Sequence, residues 1–193
     1  MARLKTISDF KSALKGGGAR PNLFEVELTL PDGISWDGDI FKYLCKAAAL
    51  PASTIASIDV PFRGRTFKVA GDRTIDVWTV TIINDEDFKL RTAFEEWTQL
   101  IAKLDNNLGA TQPESYMKTA TVYQLGRGAD INSTTNAGSD SSILAAYKFI
   151  DIFPTSVSDI ALSYESSDTI EEFTVEFQVQ SYEIISGTTA AKA

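Results

Sequence analysis

From Glu172 to Gln180 the chain alternates without a fault. Phe173, Val175, Phe177 and Val179 are apolar; Glu172, Thr174, Glu176, Gln178 and Gln180 are polar. Successive side chains of an extended chain point to opposite faces, so this segment can bury one row and wet the other. A helix would scatter both rows around its axis. The stretch therefore reads as a strand with one dry face, and that face needs a second layer to cover it. The pattern recurs near the start. Phe24, Val26, Leu28 and Leu30 oppose Glu25, Glu27 and Thr29, and Pro31-Asp32-Gly33 ends that strand as a turn.

Weaker strand signals fill the space between. Ile40–Cys45 reads as a second strand, and Lys46–Ile58, with small residues and Pro51, as a long extended loop. Val60–Val69 reads as a strand interrupted by Gly64. Gly71-Asp72 reads as a turn before a Thr-, Val-, Ile- and Trp-rich strand over Arg73–Ile83. Further strands are expected at Tyr116–Leu125, at Ala145–Phe153 with Pro154 as its stop, and at Asp159–Tyr164. One helix is clear. Leu90, Ala93, Phe94, Trp97, Leu100, Ile101 and Leu104 share a face at 3.6-residue spacing across Glu86–Leu104. Asn84 or Asp85 can cap its start, and Asn106, Asn107 and Gly109 can close it. Seven or eight strands with one helix predict a mainly β fold: an antiparallel β-sandwich or partial barrel with one packed α-helix.

Composition removes most chemistry. The 193 residues contain no histidine and one cysteine, Cys45. Ser-His-Asp and Cys-His catalysis, an ordinary zinc site and an intrachain disulfide are all excluded within the chain. The carboxylates Glu95-Glu96, Glu171-Glu172 and Asp85-Glu86-Asp87 are sequence neighbours, which do not flank a cleft as glycosidase acids must. Asp37-Gly38-Asp39 lacks the rest of a calcium loop, and Gly126-Arg127-Gly128 lacks the third glycine of a dinucleotide loop. No enzyme activity, cofactor or metal is expected. A net charge of −8 weighs against an electrostatic grip on nucleic acid or anionic lipid. The longest apolar runs fall far short of the roughly 20 residues of a membrane helix, so no membrane insertion by this chain alone is expected. No secretory signal is visible, and the chain reads as one kept in a reducing compartment.

The ends read differently from the middle. Leu4, Ile7, Phe10 and Leu14 recur at helical spacing, and Gly16-Gly17-Gly18 breaks the pattern. Residues 1–18 are thus expected to form a flexible N-terminal arm, either a frayed terminus or an element that docks on a neighbouring subunit. Residues 19–185 form one β domain. The Gly-, Asn-, Ser- and Thr-rich stretch Gly126–Ser142 reads as a solvated loop, and residues 186–193 as a disordered tail.

The segment Val69-Ala70-Gly71-Asp72-Arg73-Thr74-Ile75-Asp76-Val77-Trp78-Thr79-Val80-Thr81, ending Asn84-Asp85-Glu86, resembles a stretch of the tail tube proteins of T-even-type contractile phages. Ala19–Phe24, Cys45–Ala47 with Leu50-Pro51-Ala52, and Phe153-Pro154-Thr155 with Phe173-Thr174-Val175 agree in the same order, so the resemblance covers most of Ala19–Tyr182. It implies hexameric rings, whose strands form a continuous lumen barrel, stacked into a hollow tube. The implied partners are other copies of the chain, a contractile sheath, a baseplate, a tape-measure protein and a tail terminator, with double-stranded DNA passing through. The implied location is the virion tail, assembled in the host bacterial cytoplasm. Two other readings share the fold: the tube of a protein-delivering injection machine, and a single-ring baseplate or terminator adaptor.

Within that frame Glu172, Thr174, Glu176, Gln178 and Gln180 are expected either to line the lumen or to form an outer solvated face. Leu4, Ile7, Phe10 and Leu14 of the arm, and Leu50, Pro51 and Ile55 of the loop, are expected between subunits. Gly71-Asp72-Arg73 is expected as an intersubunit salt-bridge turn through Asp72 and Arg73, or as a hairpin turn with a local ion pair.

Overall fold

The computed structural model describes residues 6–14, 18–36, 38–127 and 143–186. Leu4, Gly16-Gly17, nearly all of the Gly126–Ser142 loop and the tail from Gly187 lie outside the described residues. In chain order the elements are α1 (Ile7–Ala13), β1 (Phe24–Leu28), α2 (Gly38–Leu44), β2 (Cys45–Ala48), β3 (Ser53–Phe62), β4 (Arg65–Ile75) and β5 (Trp78–Ile83). They continue as α3 (Lys89–Ile101), α4 (Pro113–Tyr116), β6 (Lys118–Leu125), β7 (Ile143–Val157) and β8 (Glu172–Ser186). The fold is mainly β, as expected. Among the described residues six strands form one sheet in the order β1-β6-β7-β8-β5-β2, and β3 and β4 pair only with each other. The chain gathers into two compact units. One draws on Met1–Glu25, Tyr123–Ala146 and Ile184–Ala193, the other on Val26–Val122 and Tyr147–Glu183.

The core of the larger unit forms where the alternation is strongest. β5 runs antiparallel to β8 with Trp78 opposite Phe177, Val80 opposite Val175 and Ile82 opposite Phe173. All six side chains are buried. Helix α3 covers this row with Leu90, Ala93, Phe94 and Trp97, the face that its 3.6-residue period marks. Phe94 meets Phe173 and Phe177 edge-on at 6.2 and 6.0 Å, and Trp78 stacks on Phe149 at 4.6 Å. Neither buried indole leaves its N–H unpaired. Trp78 Nε1 donates to the Ala49 carbonyl at 2.9 Å, and Trp97 Nε1 to that of Tyr116 at 2.8 Å. Arg91 is a further rivet: it donates from Nη1 to the Ser158 carbonyl and from Nε to Glu95, and lies over the Phe173 ring.

Several sequence expectations are corrected. Ile40–Cys45 is mostly helix, not strand. In α2 Phe41 turns inward and stacks on Trp36 at 5.0 Å, while Lys42 reaches Glu27 at 2.6 Å. The expected loop Lys46–Ile58 contains β2 and the start of β3. Val60–Val69 is the tip of a hairpin: Arg63 and Gly64 both hold positive φ, at 47° and 81°, and reverse the chain in two residues. Gly71-Asp72 therefore makes no turn; both lie inside β4. Helix α3 starts at Lys89 behind Phe88, with no side-chain cap. Asp85 instead closes a turn before it, accepting at its carbonyl from Phe88 N–H. β7 passes through Pro154 and stays tied to β8: Thr155 donates its hydroxyl to the Glu176 carbonyl, and Ser158 its N–H to that of Thr174. Asp159–Tyr164 alternates but pairs with no strand among the described residues, and Leu162 and Tyr164 are exposed.

Replacing Trp97 by Ala should cost about 3–5 kcal/mol, because it opens a cavity against Phe94 and Phe177. It also leaves the Tyr116 carbonyl without its donor. Urea unfolding followed by circular dichroism measures the loss.

Candidate functional site

The site is a set of surfaces rather than a pocket. The first is the sheet face turned away from α3. Cross-strand pairs share a face, so Thr79 stands beside Glu176, Thr81 beside Thr174 and Ile83 beside Glu172. Gln178 and Gln180 continue the same row and are exposed. The five residues read from the sequence as one polar row are thus brought together on one face. Lys46, from β2, forms an ion pair with Glu172 at 2.5 Å. This face carries hydroxyl, amide and carboxylate groups over an apolar sheet.

The second surface is the β3–β4 hairpin. Its register places Ile58 opposite Val69, Val60 opposite Phe67 and Phe62 opposite Arg65. Ile58, Val60, Phe62, Phe67 and Val69 therefore lie on one face of the ribbon, and all five are exposed, Phe62 and Phe67 to 66%. The other face carries Ser57, Asp59, Pro61, Thr66, Lys68 and Ala70. Arg63 and Arg65 stand at and beside the tip, with the Arg63 guanidinium 5.4 Å from the Phe62 ring centre. Such an amphipathic ribbon projects apolar surface that nothing among the described residues covers.

The loop residues chosen from the sequence sit at the foot of this ribbon. Leu50 is exposed and Pro51 half-buried in the connection from β2 to β3; Ile55 is exposed on the face opposite Ile58. Asp72 and Arg73 lie within β4 rather than at a turn, and no ion pair joins them to each other or to another described residue, which corrects the hairpin turn with a local ion pair; their pairing with a second copy stays an expectation. The sequence reading missed Ile58, Val60, Phe62, Phe67 and Val69. Their signal was there: alternation runs on both sides of Arg63-Gly64.

The third surface is α1. A capping box starts it: the Thr6 hydroxyl accepts from Asp9 N–H, and the Asp9 carboxylate accepts from Thr6 N–H at 3.0 Å. The Thr6 backbone and side-chain donors hold the Asp9 carboxyl below its ordinary range. None of its residues is buried, and Ile7, Phe10 and Leu14 are exposed. Leu4 lies outside the described residues.

The profile of the family described as "Phage tail tube protein" matches residues 19–185. The chain belongs to that family. It is 35% identical over 178 residues to the tail tube protein gp19 of Enterobacteria phage T4, covering 92% of this chain and 99% of that one. Solved structures of the fold include a chain of the anti-feeding prophage baseplate, with a TM-score of 0.62 at 11% identity, covering 88% of this chain and 96% of that one. Another is a chain of the sheath-tube complex of the PVC extracellular contractile injection system, with a TM-score of 0.57 at 14% identity, covering 94% and 99%. At such identities the likeness is one of fold.

A tail tube family chain is a structural component, and its one thiol fits that. Cys45 is buried, and burial pushes its pKa from 9.0 up to about 12. Among the described residues no three His, Cys, Asp or Glu side chains are grouped to hold a metal ion. A thiol reagent should therefore leave the native protein unmodified in mildly alkaline buffer and react fully in denaturant. Because the folded pKa is the higher, the thiol's contribution to stability is present below pH 9.0 and is lost as pH rises toward about 12. Thermal melts across that range test the direction.

Proposed function

We propose that this chain is the structural subunit of a phage tail tube. Six copies close into a ring, and rings stack into a hollow tube inside a contractile sheath, through which double-stranded DNA passes into the host. The observation that carries the reading is the uncovered apolar face of the β3–β4 ribbon. Burying one such aliphatic or aromatic side chain is worth about 1.5–3 kcal/mol, and a ring offers six ribbons at once. A heterologous contact repeated around an axis closes a ring; the same kind of contact repeated along the axis continues as an open stack.

The sheet supports the same assembly. Its edges within one chain are β1 and β2, of five and four residues. Pairing such edges with neighbouring copies would hide them and extend the sheet around a lumen. The polar row Glu172, Thr174, Glu176, Gln178 and Gln180 then faces that lumen. Duplex DNA carries one charge per about 1.7 Å, so a wall of carboxylates, amides and hydroxyls repels it or lets it slide. The pairing of Lys46 with Glu172 keeps one cation of that wall occupied. Ile7, Phe10 and Leu14 of the arm, with Leu50, Pro51 and Ile55 at the ribbon's foot, supply further contacts between copies.

The partners that follow are other copies of the chain, a sheath, a baseplate, a tape-measure protein and a terminator. The site of action is the virion tail, with assembly in the bacterial cytoplasm. The identity to the phage T4 protein over nearly the whole of both chains favours a phage tube over a protein-delivering one.

Negative-stain electron microscopy of the purified chain over a concentration series should show long hollow tubes or stacked sixfold rings. Phe67→Ser should abolish stacking without lowering the melting temperature, since Phe67 is exposed in the single chain. Rings that never stack at any concentration would instead mark an adaptor.

A further inference from the structure

The ribbon is not a regular ladder. Ile55 pairs with Arg73 and Ser57 with Ala70, so β3 advances two residues where β4 advances three. Gly71 and Asp72 together oppose Ala56, which makes a β-bulge on β4. A bulge bends its strand and increases the local right-handed twist. This one lies where the hairpin leaves the body. On the near side Ser53 and Ile75 are half-buried, Asp76 N–H donates to the Ala52 carbonyl at 3.1 Å, and the Ser53 and Tyr182 hydroxyls are 3.3 Å apart. On the far side every residue from Ser57 to Ala70 is exposed.

Two details show that the bulge is built in. A Cβ on Gly71 would lie 3.1 Å from the Ala56 carbonyl oxygen and 3.2 Å from Ile58 Cγ1, so the close approach of the strands here suits glycine. The extra residue also reverses the alternation of β4. Arg73 and Ile75 lie on one face of the ribbon, whereas Phe67 and Val69 lie on the other, with Ile58, Val60 and Phe62.

We propose that the Gly71-Asp72 bulge is the aiming joint of the stacking ribbon: it sets the direction in which the apolar face meets a second copy of this chain. The proposal rests on the ribbon being the stacking element. It assigns the orientation of that element to two residues that make none of its apolar contacts.

Deleting Asp72 isolates this role. The pairs Ile55 with Arg73 and Ser57 with Ala70 are kept, Gly71 alone opposes Ala56, and the same five apolar side chains share a face. Only the bulge is lost. The deletion variant should melt like the parent and protect the backbone amides of residues 57–70 from exchange as the parent does, while its tube yield falls at least tenfold. Gly71→Val, which keeps the chain length and crowds Ala56, should give the same result. Either variant forming tubes at the parent's yield while folded would overturn the proposal. If both variants unfold, the bulge serves folding rather than aiming, which overturns it as well. The Phe67→Ser variant separates the two claims. Tubes from Phe67→Ser would mean that the ribbon's apolar face does not drive stacking. Loss of tubes there with normal tubes from the Asp72 deletion would refute the joint alone.

Discussion

The larger unit depends on the pairing of β5 with β8. Trp78, Val80 and Ile82 meet Phe177, Val175 and Phe173 across it, and α3 lays Phe94 and Trp97 over the same row. A strand pair can present one apolar face only if both registers agree, because a slip of one residue would turn every side chain over. Here a large aromatic meets its partner at both Trp78–Phe177 and Ile82–Phe173, so a slip would cost several buried rings. That constraint fixes the other face too. Once Phe173 and Phe177 point inward, Glu172, Thr174 and Glu176 must point outward beside Thr79 and Thr81. The polar surface is thus a consequence of how the core is packed.

The hairpin follows a different rule. Its face carries five large apolar residues, against six across the β5–β8 pair, yet nothing among the described residues covers them. A fold that leaves Phe62 and Phe67 in water gives up stability that association can recover. Body and ribbon divide the work accordingly. The body folds on its own contacts, and the ribbon, in the function proposed above, holds apolar surface for a contact between copies. The bulge at Gly71-Asp72 lies between these two regimes.

The clearest parts of the sequence were those where local pattern and tertiary packing agree. The alternation of β8 predicted its buried row correctly, and the polar row was found as a row; in β1 only Val26 of the expected face is buried, and α3 buries Leu90, Ala93, Phe94 and Trp97 but ends at Ile101, leaving Leu104 exposed. Other parts were opaque for physical reasons. In α2, Ile40, Phe41, Tyr43 and Leu44 fit a strand or a helix equally, and the stacking of Phe41 on Trp36 decides. Gly71-Asp72 has turn composition, but the turn falls at Arg63-Gly64, where an arginine takes up a positive φ. Asp159–Tyr164 alternates like a strand yet has no strand beside it among the described residues. The apolar face of the ribbon was half visible: its residues alternate, but only the turn position shows that they share one side.

If copies stack through the ribbon, the face exposed in the single chain is covered when they assemble. Val60→Cys would place a thiol on that face while keeping Phe62 and Phe67, and the native Cys45 is buried, so a maleimide should report on the new position alone. Labelling should be rapid in unassembled protein and blocked in tubes formed from the same sample. Equal labelling in tubes and in unassembled protein would contradict the account.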